Sequence, residues 1–293
     1  MRLARYQYEG KEYYGIMQSD RLLCLVALAK RFNVRMPKTL ESFIVDQTAQ
    51  EAAEGLLSKA KSSDLEAVSI PLNQARLLAP IKLPPKILCL GLNFASHITE
   101  TKEKQPKEPI IFIKPSTTIV GPNDKILKRP FVTKLDYEGE LAIVIGKKAK
   151  DVSLQEAPNY VFGYTILNDV SARDFQFKTS QWTTGKSFDT FAPTGPCIIT
   201  RNELPDPSGL SIKTWVNNEL RQNGSTHDMI FNVFQIIQFL SRVMTLEPCD
   251  IIATGTPSGV AMSMETPKWL QKGDVVRIEI EKIGVLENTV EEM

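Results

Sequence analysis

At 293 residues the chain has room for one large domain, or a large and a small one, with an ample core. Hydrophobic residues make up 42% and charged residues 24%, as in an ordinary globular protein, and 35 basic side chains nearly cancel 34 acidic ones to leave +1. Such a balance supplies no strong field for nucleic acid or an anionic membrane, so neither is expected as a partner.

The opening MRLARYQYEGKEYYGIM lacks the apolar core of a signal peptide. YYGIMQSDRLLCL sets two strand-like runs around a polar Gln18-Ser19-Asp20 turn, which predicts a hairpin. The longest apolar run, LLCLVALA from Leu22, is far too short to span a bilayer. LESFIVDQTAQEAAEGLLSKAK then carries apolar and Ala positions at helical spacing. Pro80, Pro84 and Pro85 enforce extended backbone and mark a boundary. A small N-terminal α/β domain over residues 1–78 and a larger domain over 79–293 are expected. Cys24, Cys89, Cys197 and Cys249 are scattered with no Cys-x-x-Cys pair, so reduced, mostly buried thiols in a cytoplasmic protein are expected, not zinc or disulfides.

From Ile87 the sequence is mostly strand: KILCLG, IIFIK, ELAIVIG, VFGYTIL, PCIIT, SIKTWV, DIIATG and VVRIEIEKIG. Asn217-Asn218 suits a two-residue hairpin turn because Asn tolerates positive φ. SARDFQFK predicts one short helix, and NVFQIIQFLSRVM the only long one, with an apolar stripe at i, i+3, i+4. Many strands and few crossover helices argue against a doubly wound sheet and for an α+β, β-rich roll or barrel.

Candidate chemistry sits at strand ends. In GLNFASHITE, His97 and Glu100 share a helical face, and a carboxylate beside imidazole fixes its tautomer and raises its basicity; a surface His–Glu pair is the plainer alternative. KLDYEGELAIVIG raises a sharper question, because in a strand Glu138 and Glu140 point the same way, with Gly139 leaving space between them. Two carboxylates ~5 Å apart repel by roughly 3 kcal/mol at an effective dielectric near 20. Water, a shared proton, a basic partner or a cation must offset that.

Asp169, after VFGYTIL, would add a third carboxylate if the two strands are neighbours. Three hard oxygen ligands suit Mg2+ or Mn2+. Solvated glutamates with Asp169 capping the next helix fit the spacing equally well. Arg173 and Gln176 fall one turn apart and could clamp a carboxylate, or merely sit on a helix surface. Lys186 in TTGKSFD is too isolated for a phosphate loop. TGTPSGV is either a tight turn or a source of a hydroxyl and N–H groups for an anion. His227 is expected to be solvated and inert.

Taken in order, GLNFASHITE, LDYEGELAIVIG, GYTILNDVSARDFQ, GKSFD and LEPCDIIATGTPSGV resemble the successive motifs of the fumarylacetoacetate hydrolase family, over Lys86 to Val290. The leading unit looks like the small domain of many bacterial members. Phe94 departs from the pattern, which has Tyr there more commonly. The resemblance implies a mixed β-sandwich roll assembled as a homodimer. It implies Mg2+ or Mn2+ on Glu138, Glu140 and Asp169, and a water-activating His97–Glu100 dyad on a mobile lid. It also implies that Arg173, Gln176, Lys186 and Thr256 contact a 2-oxoacid substrate or the surroundings of the metal.

Family chemistry passes through a metal-bound enolate. Because both His97 and Glu100 are present, hydrolysis of a C–C bond in acylpyruvate-like, fumarylpyruvate-like or fumarylacetoacetate-like substrates is the first expectation. Oxaloacetate decarboxylation, and isomerisation of a 2-hydroxymuconate or 2-hydroxyhepta-2,4-diene-1,7-dioate type, are the alternatives within the family. A non-catalytic metal-binding scaffold is the alternative outside it.

Overall fold

The computed structural model of the chain describes residues 1–293 and rests on two open sheets, neither closed into a barrel. The larger runs, edge to edge, through Ser69–Pro71, Arg21–Cys24, Lys11–Met17, Arg2–Tyr8, Ala192–Thr200, Val161–Asn168, Gly139–Ile145, Ile251–Ala253, Ile87–Gly91 and Ile110–Lys114. The smaller orders Glu219–Ser225, Ser211–Val216, Val275–Ile280, Gly284–Glu292 and Lys125–Lys128. Parallel pairs (Ile251–Ala253 with Ile87–Gly91, and Gly284–Glu292 with Lys125–Lys128) stand among antiparallel ones. The strand-rich α+β class expected from sequence is the class found.

The Gln18-Ser19-Asp20 turn joins antiparallel strands as expected, and Asn217 adopts φ 56° at its own hairpin. Arg2–Tyr8 pairs with Ala192–Thr200 through Arg2↔Ile199 and Leu3↔Ile198, so the first strands continue the larger sheet. The helical spacing after Leu40 is broken once. Asp46 leaves helical geometry and its side chain accepts the Ala49 N–H at 2.9 Å, capping Gln47–Lys59 as a helix separate from Leu40–Val45. That capped helix has 13 residues, and beyond Ile87 the one long helix is Val233–Val243, with 11, as expected. Val233–Val243 starts from an Asn232–Gln235 capping box and buries Val233, Ile236, Ile237 and Leu240. No helix is long and apolar enough to cross a membrane.

Gly139–Ile145 is buried along its whole length, and its two faces serve different cores. Leu141, Ile143 and Ile145 join the cluster shared with the smaller sheet, whereas Ala142 and Val144 join the cluster that includes Leu28 and Phe43. Glu138 and Glu140 fall in phase with Ala142 and Val144. The intervening Gly139 falls on the side where the smaller sheet packs.

Candidate metal centre and its cleft

Antiparallel pairing of Gly139–Ile145 with Val161–Asn168, in register Gly139↔Asn168, decides where the acidic groups go. Glu138 precedes the first strand and Asp169 follows the second, so both lie at one end of the pair, with Glu140 one period further in. Asp169 N–H donates to Glu138 O at 2.9 Å, and Glu138 N–H donates to Asn168 Oδ1 at 3.1 Å. One carboxylate oxygen from each of Glu138, Glu140 and Asp169 lies within 4.8 Å of the others, and all three side chains are buried. The strands are neighbours, and Asp169 is drawn into the cluster.

Buried cations answer these carboxylates. Lys186, ending the helical turn Thr183–Lys186, bridges Glu138 Oε2 at 2.9 Å and Asp169 Oδ2 at 2.8 Å. Lys114 reaches the other oxygen of Asp169 at 2.5 Å. The Arg173 guanidinium lies 2.7 Å from Glu138 Oε1, and its Nη1 donates to Gln176 Oε1 at 2.8 Å. Asp136, fully buried, accepts from Arg173 Nε at 2.9 Å and from the backbone N–H groups of Ala261 and Met262 at 2.8 and 3.1 Å.

Burial opposes the charge on Glu138, but Lys186 and Arg173 outweigh it and hold its carboxyl well below the usual range. Burial, Asp169 and Glu138 together push Glu140 well above that range. Burial also opposes the charge on Lys186, yet Asp169 and Glu138 keep it a firm ammonium. At Lys114 burial prevails and the pKa falls.

Glu140 Oε2 accepts the Gly255 N–H at 2.7 Å, whereas its Oε1 is buried with no hydrogen-bond partner. An orphaned carboxylate oxygen beside two further carboxylates is what a hard divalent cation satisfies, and an all-oxygen donor set suits Mg2+ or Mn2+. The residues present fit such an ion.

His97 and Glu100 meet on the short helix Ala95–Thr101, with His97 Nδ1 2.8 Å from Glu100 Oε1. Glu100 Oε2 accepts the Gly259 N–H at 2.9 Å. A carboxylate on Nδ1 leaves Nε2 as the basic nitrogen. Phe94, just before this helix, has its ring fully buried in the large core, where a tyrosine hydroxyl would need a partner. Thr256 Oγ1 donates to Gly139 O at 3.0 Å, beside the metal-ligand candidates. His227 lies exposed in the turn Thr226–Asp228.

His97, Glu100, Glu138, Arg173, Lys186 and Thr256 line one cleft of about 830 Å³, together with Gln176. One wall is aromatic: the Phe112 and Trp182 rings meet edge-on with centroids 6.0 Å apart, and Trp269 also lines the cleft. A Cβ on Gly91 would sit 2.2 Å from Trp182 Cζ3, so glycine is what lets the indole lie against that strand.

Sequence reasoning named every candidate gathered here but passed over Lys114, Asp136 and Trp182. A lysine ending the apolar run IIFIK was a signal for Lys114. Asp136 was visible as the third acid at every second position in DYEGE. Trp182 gave no signal beyond its type.

Residues 86–291 match the family model described as fumarylacetoacetate (FAA) hydrolase, C-terminal. The chain is 42% identical over 261 residues to the mitochondrial oxaloacetate tautomerase Fahd2a of Rattus norvegicus, covering 88% of this chain and 82% of that protein. Among solved structures, it superposes on fumarylacetoacetate hydrolase from psychrophilic Exiguobacterium antarcticum with TM-score 0.84 and 38% identity, covering 100% of both chains. It also superposes on maleylpyruvate hydrolase from Sphingobium sp. SYK-6, solved in complex with manganese (II) ion and pyruvate, with TM-score 0.80 and 32% identity over 100% of this chain and 99% of that one.

Proposed function

The chain belongs to the fumarylacetoacetate hydrolase family, and from that premise we propose that it forms the enolate of a small 2-oxo acid, with keto–enol tautomerisation of oxaloacetate as its reaction. One observation carries this reading: Glu138 of the carboxylate trio, the Lys186 ammonium and the His97–Glu100 pair line the same cleft. Glu138, Glu140 and Asp169 would hold Mg2+ or Mn2+, and the bound ion would supply Lewis-acid charge where negative charge develops on the 2-oxo group.

Arg173 and Gln176 bind the carboxylate end of the substrate, Arg173 with the N–H that Asp136, Glu138 and Gln176 leave free. His97 Nε2 takes the proton from C3, and Glu100 steadies the imidazolium that forms. Lys186 adds positive charge beside the enolate oxygen. Thr256 also lines the cleft. The His97 imidazolium passes its proton on to the enolate oxygen to give the enol, and the reverse path returns it to C3. One C–H bond is exchanged for one O–H bond and no C–C bond breaks. The oxaloacetate tautomerase of Rattus norvegicus supports this choice of substrate.

A second reading has its own support. The cleft, at about 830 Å³ with an aromatic wall, is larger than a four-carbon diacid needs, and a maleylpyruvate hydrolase shares the fold. In this reading His97 with Glu100 deprotonates a water that attacks the distal carbonyl of an acylpyruvate, and the enolate of pyruvate leaves. The proposal includes a homodimer formed through residues 79–293, with 1–78 as an N-terminal unit that adds strands to the larger sheet, which sedimentation analysis of the full chain would test.

The test is to follow the ultraviolet absorbance of the oxaloacetate enol with Mg2+ or Mn2+, with and without EDTA, while pyruvate is measured from oxaloacetate and from acylpyruvates. Faster equilibration that EDTA abolishes is expected. Acylpyruvate cleavage without faster equilibration would install the hydrolase reading instead, and pyruvate from oxaloacetate a decarboxylase. No turnover of any of them would leave a metal-binding scaffold.

A further inference from the structure

Gln222 belongs to Glu219–Ser225, a strand of the smaller sheet, yet its side chain is fully buried and serves the other sheet. Its Oε1 accepts the Gly139 N–H at 3.0 Å. Its Nε2 donates to Thr256 Oγ1 at 2.7 Å and to Pro257 O at 2.9 Å. This corner needs one acceptor and two donors in a single plane, which a primary amide supplies and a carboxylate does not. The approach depends on Gly139, since a Cβ there would stand 2.4 Å from Thr214 Oγ1 and 3.3 Å from Gln222 Oε1.

Gly139 is the residue between Glu138 and Glu140. The carboxamide holds its N–H directly. It also holds its carbonyl through Thr256: with Nε2 donating onto Oγ1, the hydroxyl hydrogen is turned towards Gly139 O, 3.0 Å away. Gly255, adjacent to Thr256, gives its N–H to Glu140. Both peptide groups that carry the paired glutamates are thus tied to one side chain from the opposite sheet.

From this geometry we infer that Gln222 is the positioning residue of the acidic centre, fixing the peptide planes of Gly139 and with them the spacing of the Glu138 and Glu140 carboxylates, without touching ion or substrate. The inference rests on the metal site proposed above. Buried polar partners of this kind are worth about tenfold to a hundredfold in metal affinity.

The experiment titrates Mn2+ alone into the full chain, reads free Mn2+ by electron paramagnetic resonance, and records the melting temperature of each metal-free protein. Gln222→Glu keeps the size and the acceptor for Gly139 but loses both donors, and Gln222→Met loses all three groups. Mn2+ binding is expected to weaken about tenfold in the first and towards about a hundredfold in the second. Phe43→Ala, which empties a fully buried site in residues 1–78, is the control for stability loss alone and is expected to leave Mn2+ affinity unchanged.

If Gln222→Met does not fold, Gln222→Glu decides. Mn2+ affinity equal to wild type in a folded Gln222 variant overturns the inference, whatever its melting temperature, and leaves the metal site standing. A wild-type chain that takes up no Mn2+ overturns the metal site and the inference together.

Discussion

Residues 1–78 and the acidic corner treat charge in opposite ways. No charged or polar side chain of residues 1–78 is buried: Arg5–Glu12 and Arg31–Asp64 pair at the surface, over a core of Leu25, Leu28, Phe43 and Ala53. At the corner, Lys114, Asp136, Glu138, Glu140, Asp169, Arg173 and Lys186 are all buried. That is three cations against four carboxylates, and Glu140 keeps one oxygen without a partner. Removing each ion from water costs several kcal/mol, which only close pairing offsets. The first region therefore contributes stability, while the second maintains an arrangement that stability alone does not explain and that a divalent cation would complete.

That contrast is a double dissociation waiting to be broken. The largest expected effect is at Glu140. Glu140→Gln should lower the Mg2+- or Mn2+-dependent rate by about a thousandfold or more, the equivalent of roughly 4 kcal/mol of lost charge stabilisation. It should leave the metal-free melting temperature at or above wild type, because it removes one of three crowded carboxylates; a lower value would place the trio among the groups that stabilise the fold. Phe43→Ala is the mirror image. It empties a fully buried aromatic site, costs about 3–5 kcal/mol and lowers the melting temperature by roughly 5 °C or more, with kcat unchanged. A matching loss of kcat would show that the two regions are coupled. His97→Ala comes next: kcat should fall about a hundredfold with KM little altered, since imidazole acts on the proton and not on binding. An equal rise in KM would recast His97 as a binding group.

How much of this was readable in advance follows from sequence distance. The strands announced themselves through β-branched runs, and the Glu138–Glu140 and His97–Glu100 pairs through period 2 and period 3, because each signal is contained within a few residues. The partners that make the corner a site are not local. Lys114 meets Asp169 across 55 positions, Asp136 meets Arg173 across 37, and Gln222 meets Gly139 across 83. No periodicity links such residues, so only the strand order reveals them. The family resemblance supplied the roles of Glu138, Glu140 and Asp169, but it was silent on Gln222. Asp46 failed to show for the opposite reason: its local signal as a helix cap was present but lay inside a longer apolar spacing that ran straight through it.

The smallest effect tests the other half of the contrast, that charge in residues 1–78 is incidental to stability. Glu12 lies across a strand pair from Arg5, 3.2 Å from its guanidinium, with the Lys82 ammonium at 3.5 Å. The slight burial of its carboxyl opposes the charge, but Arg5 and Lys82 outweigh it and hold the pKa below the usual carboxylate range. A carboxylate whose folded pKa is depressed stabilises the fold above its unfolded pKa, and that contribution disappears as the pH falls through the folded value. Glu12→Gln should therefore lower the melting temperature by no more than about 2 °C at pH 7, the scale of an exposed pair screened by water and salt. The difference between the two proteins should shrink towards zero as the pH is taken down through the carboxylate range, and should shrink also in high salt at pH 7. Differential scanning fluorimetry of wild type and Glu12→Gln over a pH series reads both. A gap of many degrees that persists in acid would mean that the residue acts through packing against its neighbours and not through charge.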